Sequence, residues 1–204
     1  NVLDRERAAI TQYERVLTLD ENSLDALWAL RELYERTEST ASLADNLVRL
    51  LALLDESDEQ ILALNRQLAR VYQDELDRPE QASASWESVL ALESHDAEAI
   101  DRLEELYTAA EAWRECVGIL SRKAENTEDT YDRVSILFRM AEMSAEQLVD
   151  PLGSRNAYAE ILKAQPNNID AYELLVTAYE DDELWEELVG LLVSRLEFVD
   201  DTFE

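Results

Sequence analysis

His95 is the only imidazole and Cys116 the only thiol among 204 residues, so a nucleophile and its base have one possible pairing. Neither position favours it. His95 directly precedes Asp96 at the start of a helical pattern, where a solvated turn residue is expected. Cys116 falls on a small-residue position of the repeat set out below, where core packing is expected. The run Glu180, Asp181, Asp182, Glu183 has the charge to draw a divalent cation, but it lacks the alternating oxygen ligands and central glycine of a calcium loop. It is expected to be a solvated turn between helices. Carboxylate pairs are too numerous, with 47 acids in the chain, for any one spacing to mark an acid-base couple. No Gly-rich phosphate loop, zinc-ligand spacing or nucleophile elbow occurs. These residues predict no catalysis, no metal ion and no cofactor.

The formal net charge of −29 repels phosphate backbones and anionic lipid, so neither nucleic acid nor a membrane surface is the expected partner. A basic protein or peptide suits it, although the same charge also serves solubility. A single cysteine forms no internal disulfide, and no run approaches the roughly 20 apolar residues needed to cross a bilayer. A soluble protein is expected, in the cytoplasm before other compartments. The chain starts at Asn1 without a basic-then-apolar leader, so a segment of a longer protein or a processed product is expected.

The elements that would position functional groups announce themselves by repetition. Tyr13-Glu-Arg-Val-Leu-Thr-Leu returns as Trp86-Glu-Ser-Val-Leu-Ala-Leu and as Tyr158-Ala-Glu-Ile-Leu-Lys-Ala, 73 and then 72 residues on. Tyr34, Tyr107 and Tyr179 keep the same intervals, and Pro79 to Pro151, Trp113 to Trp185 and Gly118 to Gly190 are each 72 apart. Within each period, apolar residues recur at three- and four-residue spacing, as in Leu27, Leu30, Leu33, Tyr34. Few glycines and prolines and much Ala, Leu and Glu favour helices. Each period therefore holds two helical hairpins. Expected helices lie near 5–19, 23–37, 42–54, 58–75, 80–92, 97–109, 112–125, 129–147, 152–164, 169–181 and 184–199. Ser23, Asp96 and Asn168 are the expected caps of equivalent helices, with acids two residues later at Asp25, Glu98 and Asp170. Ser57 with Gln60 makes a further capping box.

These residues resemble the tetratricopeptide repeat, a helix-turn-helix of 34 residues. With Ala97 as position 1, Ile100, Leu103 and Tyr107 take signature positions 4, 7 and 11, Trp113 takes 17 and Leu120 takes 24, while Cys116 stands at the small-residue position 20. Leu68, Ala69 and Tyr72 match positions 7, 8 and 11, Ala82 and Trp86 match 20 and 24 after a short insertion, and Met140, Ala141 and Ser144 repeat that version. Arg31, Glu104 and Val176 depart from the small residue of position 8, and a polar insertion runs from Glu35 to Ser42. A helical bundle or HEAT-type repeat is the structural alternative, disfavoured by the repeated Pro, Trp and Gly landmarks. The resemblance implies an all-α, right-handed superhelical solenoid of antiparallel hairpins, about 11 helices, as one array over 1–204. It places Tyr34, Tyr107, Tyr179, Trp86, Trp113 and Trp185 at packing positions.

The resemblance also implies that positions 2, 5 and 9 of each first helix line a concave, partner-binding face. Those positions hold Trp28, Arg66, Asp101, Phe138 and Glu173 in the fifth place, and Glu32, Arg70, Glu105, Glu142 and Thr177 in the ninth. The expected partner-binding residues are Trp28, Arg66, Arg70, Asp101, Glu105, Phe138, Glu142 and Glu173, an acidic surface interrupted by a basic pair. It suits a basic segment with an apolar anchor. The alternative for Trp28 and Phe138 is packing against neighbouring helices or a chain terminus. The implied function is a non-catalytic protein-interaction scaffold. Alternatives are an architectural or self-assembling spacer, with Leu191, Leu192, Leu196 and Phe198 as an apolar stripe on the last helix, or an accessory domain of a larger enzyme.

Overall fold

The computed structural model describes residues 2–55 and 59–201, with side chains described from Leu3 to Leu196. The described residues form helices and no strands: α1 (Val2–Leu19), α2 (Leu24–Arg36), α3 (Thr40–Leu53), α4 (Ile61–Arg70), α5 (Pro79–Leu92), α6 (Ala97–Ala109), α7 (Trp113–Asn126), α8 (Thr130–Glu146), α9 (Pro151–Ala164), α10 (Ile169–Asp181) and α11 (Trp185–Asp201). α4 runs on into a π-helical turn, Val71–Glu75. Two of the expected helices, 97–109 and 169–181, have the expected bounds. Ser57 of the expected capping box lies outside the described residues, as does the Phe198 side chain.

The chain divides into two compact units, Asn1–Leu106 and Tyr107–Glu204. In the first, consecutive helices from α1 to α5 pack pairwise, and in the second consecutive helices from α7 to α11 do the same. Adjacent helices joined by three or so residues must return antiparallel, and the apolar stripe of each is buried by its neighbours. The first unit buries Leu27, Leu30, Leu47, Leu50, Leu64, Trp86, Val89 and Leu103; the second buries Cys116, Leu120, Ala141, Ile161 and Leu175. Trp86 is wholly enclosed, and its Nε1–H donates to Gln73 Oε1 at 2.9 Å, so its one polar atom is satisfied.

The long period has a backbone origin. Five turns each contain a non-glycine residue at positive φ: Glu38, Asp77, Glu111, Val149 and Glu183, at φ 50–55°. At Glu38, Glu111 and Glu183, the following N–H of Ser39, Ala112 or Leu184 donates back five residues to the carbonyl of Tyr34, Tyr107 or Tyr179, at 2.8–2.9 Å. This is the left-handed cap that satisfies the last carbonyls of a helix. At Asp77 and Val149 the loop is one residue wider, with Arg78 and Asp150 N–H donating six residues back to Tyr72 and Ser144 at 2.8 Å. Narrow and wide turns alternate, so the structural unit is two hairpins, as the sequence period requires.

Two expectations fail. Asp96 and Asn168 accept from Ala99 and Ala171 N–H at 2.7 and 3.0 Å, but Ser23 makes no capping bond although it occupies the cap position of α2. Trp185, expected in the core, is 57% exposed. Position within a repeat buries a residue only where a neighbouring helix covers it, and among the described residues α11 packs on α10 alone.

Candidate partner-binding surfaces

In the first unit, α2, α4 and α6 carry the expected face. Trp28 is partly exposed on α2, and the Arg31 guanidinium lies 5.7 Å from its ring centroid. Arg31 Nε also donates to Gln67 Oε1 of α4 at 2.7 Å, which holds the cation over the ring. Asp25 and Glu32 flank Trp28 on the exposed stripe of α2.

The basic pair of α4 is not an open patch. Arg66 donates Nε to Asp96 Oδ2 at 3.0 Å, adds Nη2 to the same oxygen, and reaches Glu93 Oε2 at 2.8 Å. Arg70 grips Glu98 through both Nε, at 2.8 Å from Oε1, and Nη2. The hydrogen bonds to Asp96 and Glu98 raise the pKa of Arg66 and Arg70, and the bond from Arg70 holds the Glu98 carboxyl below the usual carboxylate range. Arg102 on α6 extends the seam to Asp74 at 3.4 Å and Glu105 at 3.8 Å. Asp101 and Glu105 are exposed on α6. Asp96, 7% exposed, thus caps α6 with one oxygen and pairs with Arg66 through the other. The sequence marked it as a cap but not as an ionic partner, because the pairing depends on where α4 lies.

Phe138, Glu142 and Glu173 belong to the second unit. Phe138 is partly exposed and meets Tyr158 of α9 edge-on, with ring centroids 6.3 Å apart. Burial raises the Tyr158 pKa, with the charges of Glu142 and Glu146 adding to it. Glu142 and Glu173 are exposed on α8 and α10. The expected set therefore falls into two groups, one on each unit.

Of the residues considered for chemistry, His95 is exposed in the turn before Asp96. Cys116 is fully buried, its Sγ 3.4 Å from Thr108 Oγ1. Asp182, in the acidic run, pairs with Arg155. Among the described residues no three His, Cys, Asp or Glu side chains are grouped to hold a metal ion, and no helix is long and apolar enough to cross a membrane. A groove of about 820 Å³ in the second unit, walled by α7 and α9 with α8 as its floor, was missed by the sequence reading.

No family model and no curated protein matches the chain. Solved structures do. A structure of Naa15/Naa10 bound to HypK-THB aligns over 95% of this chain and 29% of that one, at TM-score 0.56 and 15% identity. The fold is tetratricopeptide-like. YrrB, described as a tetratricopeptide protein with an unusual peptide-binding site, aligns over 85% of this chain and 84% of its own, at TM-score 0.47 and 16% identity. A tetratricopeptide repeat protein from Parabacteroides merdae aligns over 97% and 72%, at TM-score 0.46 and 12% identity. At these identities the likeness concerns the fold, and function rests on the tetratricopeptide-like array's own surfaces.

Proposed function

We propose that the chain is a non-catalytic protein-interaction scaffold that holds a basic peptide or protein segment against the α2, α4 and α6 face of its first unit. The observation that supports this reading is the engagement of Arg66 and Arg70 by Glu93, Asp96 and Glu98. With those cations held, the face offers a partner Asp25 and Glu32 on the same helix as a partly exposed indole, with further carboxylates exposed on α6. Carboxylates steer a basic segment inward, and an aromatic anchor supplies the desolvated contact that dominates affinity.

Calorimetric titration with a Lys- and Arg-rich peptide carrying one apolar residue tests the proposal. Trp28→Ala is expected to weaken binding about tenfold, as truncating an interface hot spot does. The pair Asp101→Lys and Glu105→Lys is expected to slow association and weaken binding further. Unchanged affinity in both variants, with unchanged helicity, overturns the assignment.

A second reading is self-association through α11. Trp185, Val189, Leu192, Val193 and Leu196 are all exposed there, a contiguous apolar stripe of the kind that marks an interface. Sedimentation over a range of concentrations decides it: a species that stays monomeric, or one whose association survives Val189→Glu with Leu196→Glu, excludes this reading.

A further inference from the structure

α1, α5 and α9 are equivalent helices of the long period, with Tyr13, Trp86 and Tyr158 at the same place in each. In α5 and α9 the helix that precedes them covers that place. α4 and its π-helical turn pack on α5, where Gln73 Oε1 accepts from the Trp86 indole at 2.9 Å. α8 packs on α9, where Phe138 meets Tyr158 edge-on. Ser85, Trp86 and Val89 are buried on α5, as are Ala157, Tyr158 and Ile161 on α9. Their equivalents on α1, Gln12, Tyr13 and Val16, are all exposed, Tyr13 at 37% and Val16 at 40%. Tyr13 repeats Tyr158 and Val16 repeats Val89, so what changes along the chain is the cover and not the apolar surface. α1 meets α2 by a different edge, where Arg36 engages Glu6 and Tyr34 donates to Glu14.

We propose that the Tyr13 and Val16 face of α1 docks an amphipathic helix of the α4 and α8 kind, supplied by a partner protein. The occupant is a helix because α4 and α8 occupy the matching place on α5 and α9, laying an apolar stripe against an apolar face. Neither of those two helices is free to serve, since Leu64 and Leu68 of α4 and Leu137 and Ala141 of α8 are buried in their own units. Charge agrees at the N-terminal end of α1. An occupant antiparallel to α1 finishes there, and the α4 and α8 kind finishes in acids, Asp74 with Glu75 and Glu142 with Glu146. Arg5 and Arg7 are exposed at that end of α1 beside one exposed acid, Asp4, because Glu6 is engaged by Arg36. The face lies apart from the exposed residues of α2, α4 and α6 used by the function proposed above, and it stands independently of that function.

The test uses the full chain carrying Val189→Glu and Leu196→Glu, which closes the apolar stripe of α11, in about 0.15 M salt. The probe is an acetylated, amidated peptide with the α8 sequence from Asp129 to Gln147. Its four acids outnumber its two arginines, so the acidic face does not attract it. Saturable binding with a gain of helicity by circular dichroism is expected. Tyr13→Ser with Val16→Asp is expected to weaken binding about tenfold or more, and both positions are exposed, so the fold is expected to keep its melting temperature. Phe138→Asp in the peptide is expected to act in the same direction, and Arg5→Glu with Arg7→Glu to weaken binding to a smaller degree. No saturable binding, unchanged affinity in the Tyr13 and Val16 variant, or equal binding of the Phe138→Asp peptide overturns the proposal. A peptide-free dimer in sedimentation that Val16→Asp dissolves also overturns it, by assigning the face to a second copy of the chain.

Discussion

Gly118 and Gly153 both sit inside helices, yet a methyl group meets opposite surroundings at them. At Gly118 the Cβ position is open, whereas at Gly153 it lies 2.6 Å from Asp150 Oδ2 and 3.1 Å from Ser144 Oγ. Gly118→Ala is expected to stabilise by about 0.5–1 kcal/mol, the backbone entropy a helical glycine forfeits. Gly153→Ala is expected to destabilise by about 1 kcal/mol, since it displaces the carboxylate that caps α9. Val149 is a third case: a β-branched residue at φ 50° and 78% exposed, in a conformation that disfavours its Cβ by about 1–2 kcal/mol. Val149→Asn is expected to recover about 1 kcal/mol, because asparagine tolerates the left-handed cap. Urea unfolding midpoints at unchanged slope measure all three, and a stabilised Gly153→Ala contradicts the close approach drawn here.

Between elements, polar ties do what the apolar pattern does not specify. Tyr34 of α2 donates its hydroxyl to Glu14 Oε1 of α1 at 2.9 Å. Burial, together with the hydrogen bond and charge of Glu14, pushes the phenol from 10.0 up to about 12. A raised folded pKa means that the tie is fully present below the unfolded value near 10 and is lost as pH rises through about 12. Stability is therefore expected to fall over that window, and Tyr34→Phe is expected to flatten the fall; an unaltered slope contradicts the tie. Asp96→Ala removes a cap and an Arg66 partner together and is expected to destabilise more than Asp96→Asn, which keeps a capping oxygen; the cap alone is worth about 1 kcal/mol. Helix positions were legible in the sequence because apolar spacing, Pro79, Pro151 and the Asp96 and Asn168 caps all state them locally. The turns were less so: none of the five positive-φ residues is glycine, and Val71–Glu75 continues an apolar spacing that an α-helix also satisfies. The engagement of Arg66 and Arg70 was not legible either, since Glu93, Asp96 and Glu98 become their partners only when α4 lies beside α6. Trp185 shows the same limit from the other side, its repeat position fixing its place on α11 but not a neighbour to cover it.

Across the whole molecule, the excess of 47 acids over 18 bases acts on folding and on binding with opposite sign. Like charges held close in the native chain repel one another, and unfolding spreads them apart, so the excess destabilises the compact state. In the function proposed above, the same field draws a basic segment toward the α2–α4–α6 face. Raising sodium chloride from about 0.01 to 0.1 M shortens the screening length from about 30 to 10 Å. That removes repulsion between distant carboxylates, but it weakens contact pairs such as Arg66 with the buried Asp96 much less. The melting temperature is therefore expected to rise with salt, while association with a basic peptide slows and its affinity falls. Parallel calorimetric titrations and melting curves at low and high salt separate these effects. Salt-independent affinity for the basic peptide removes the electrostatic reading of the α2–α4–α6 face, and a melting temperature that falls with salt shows that ion pairs stabilise the fold more than the charge excess destabilises it.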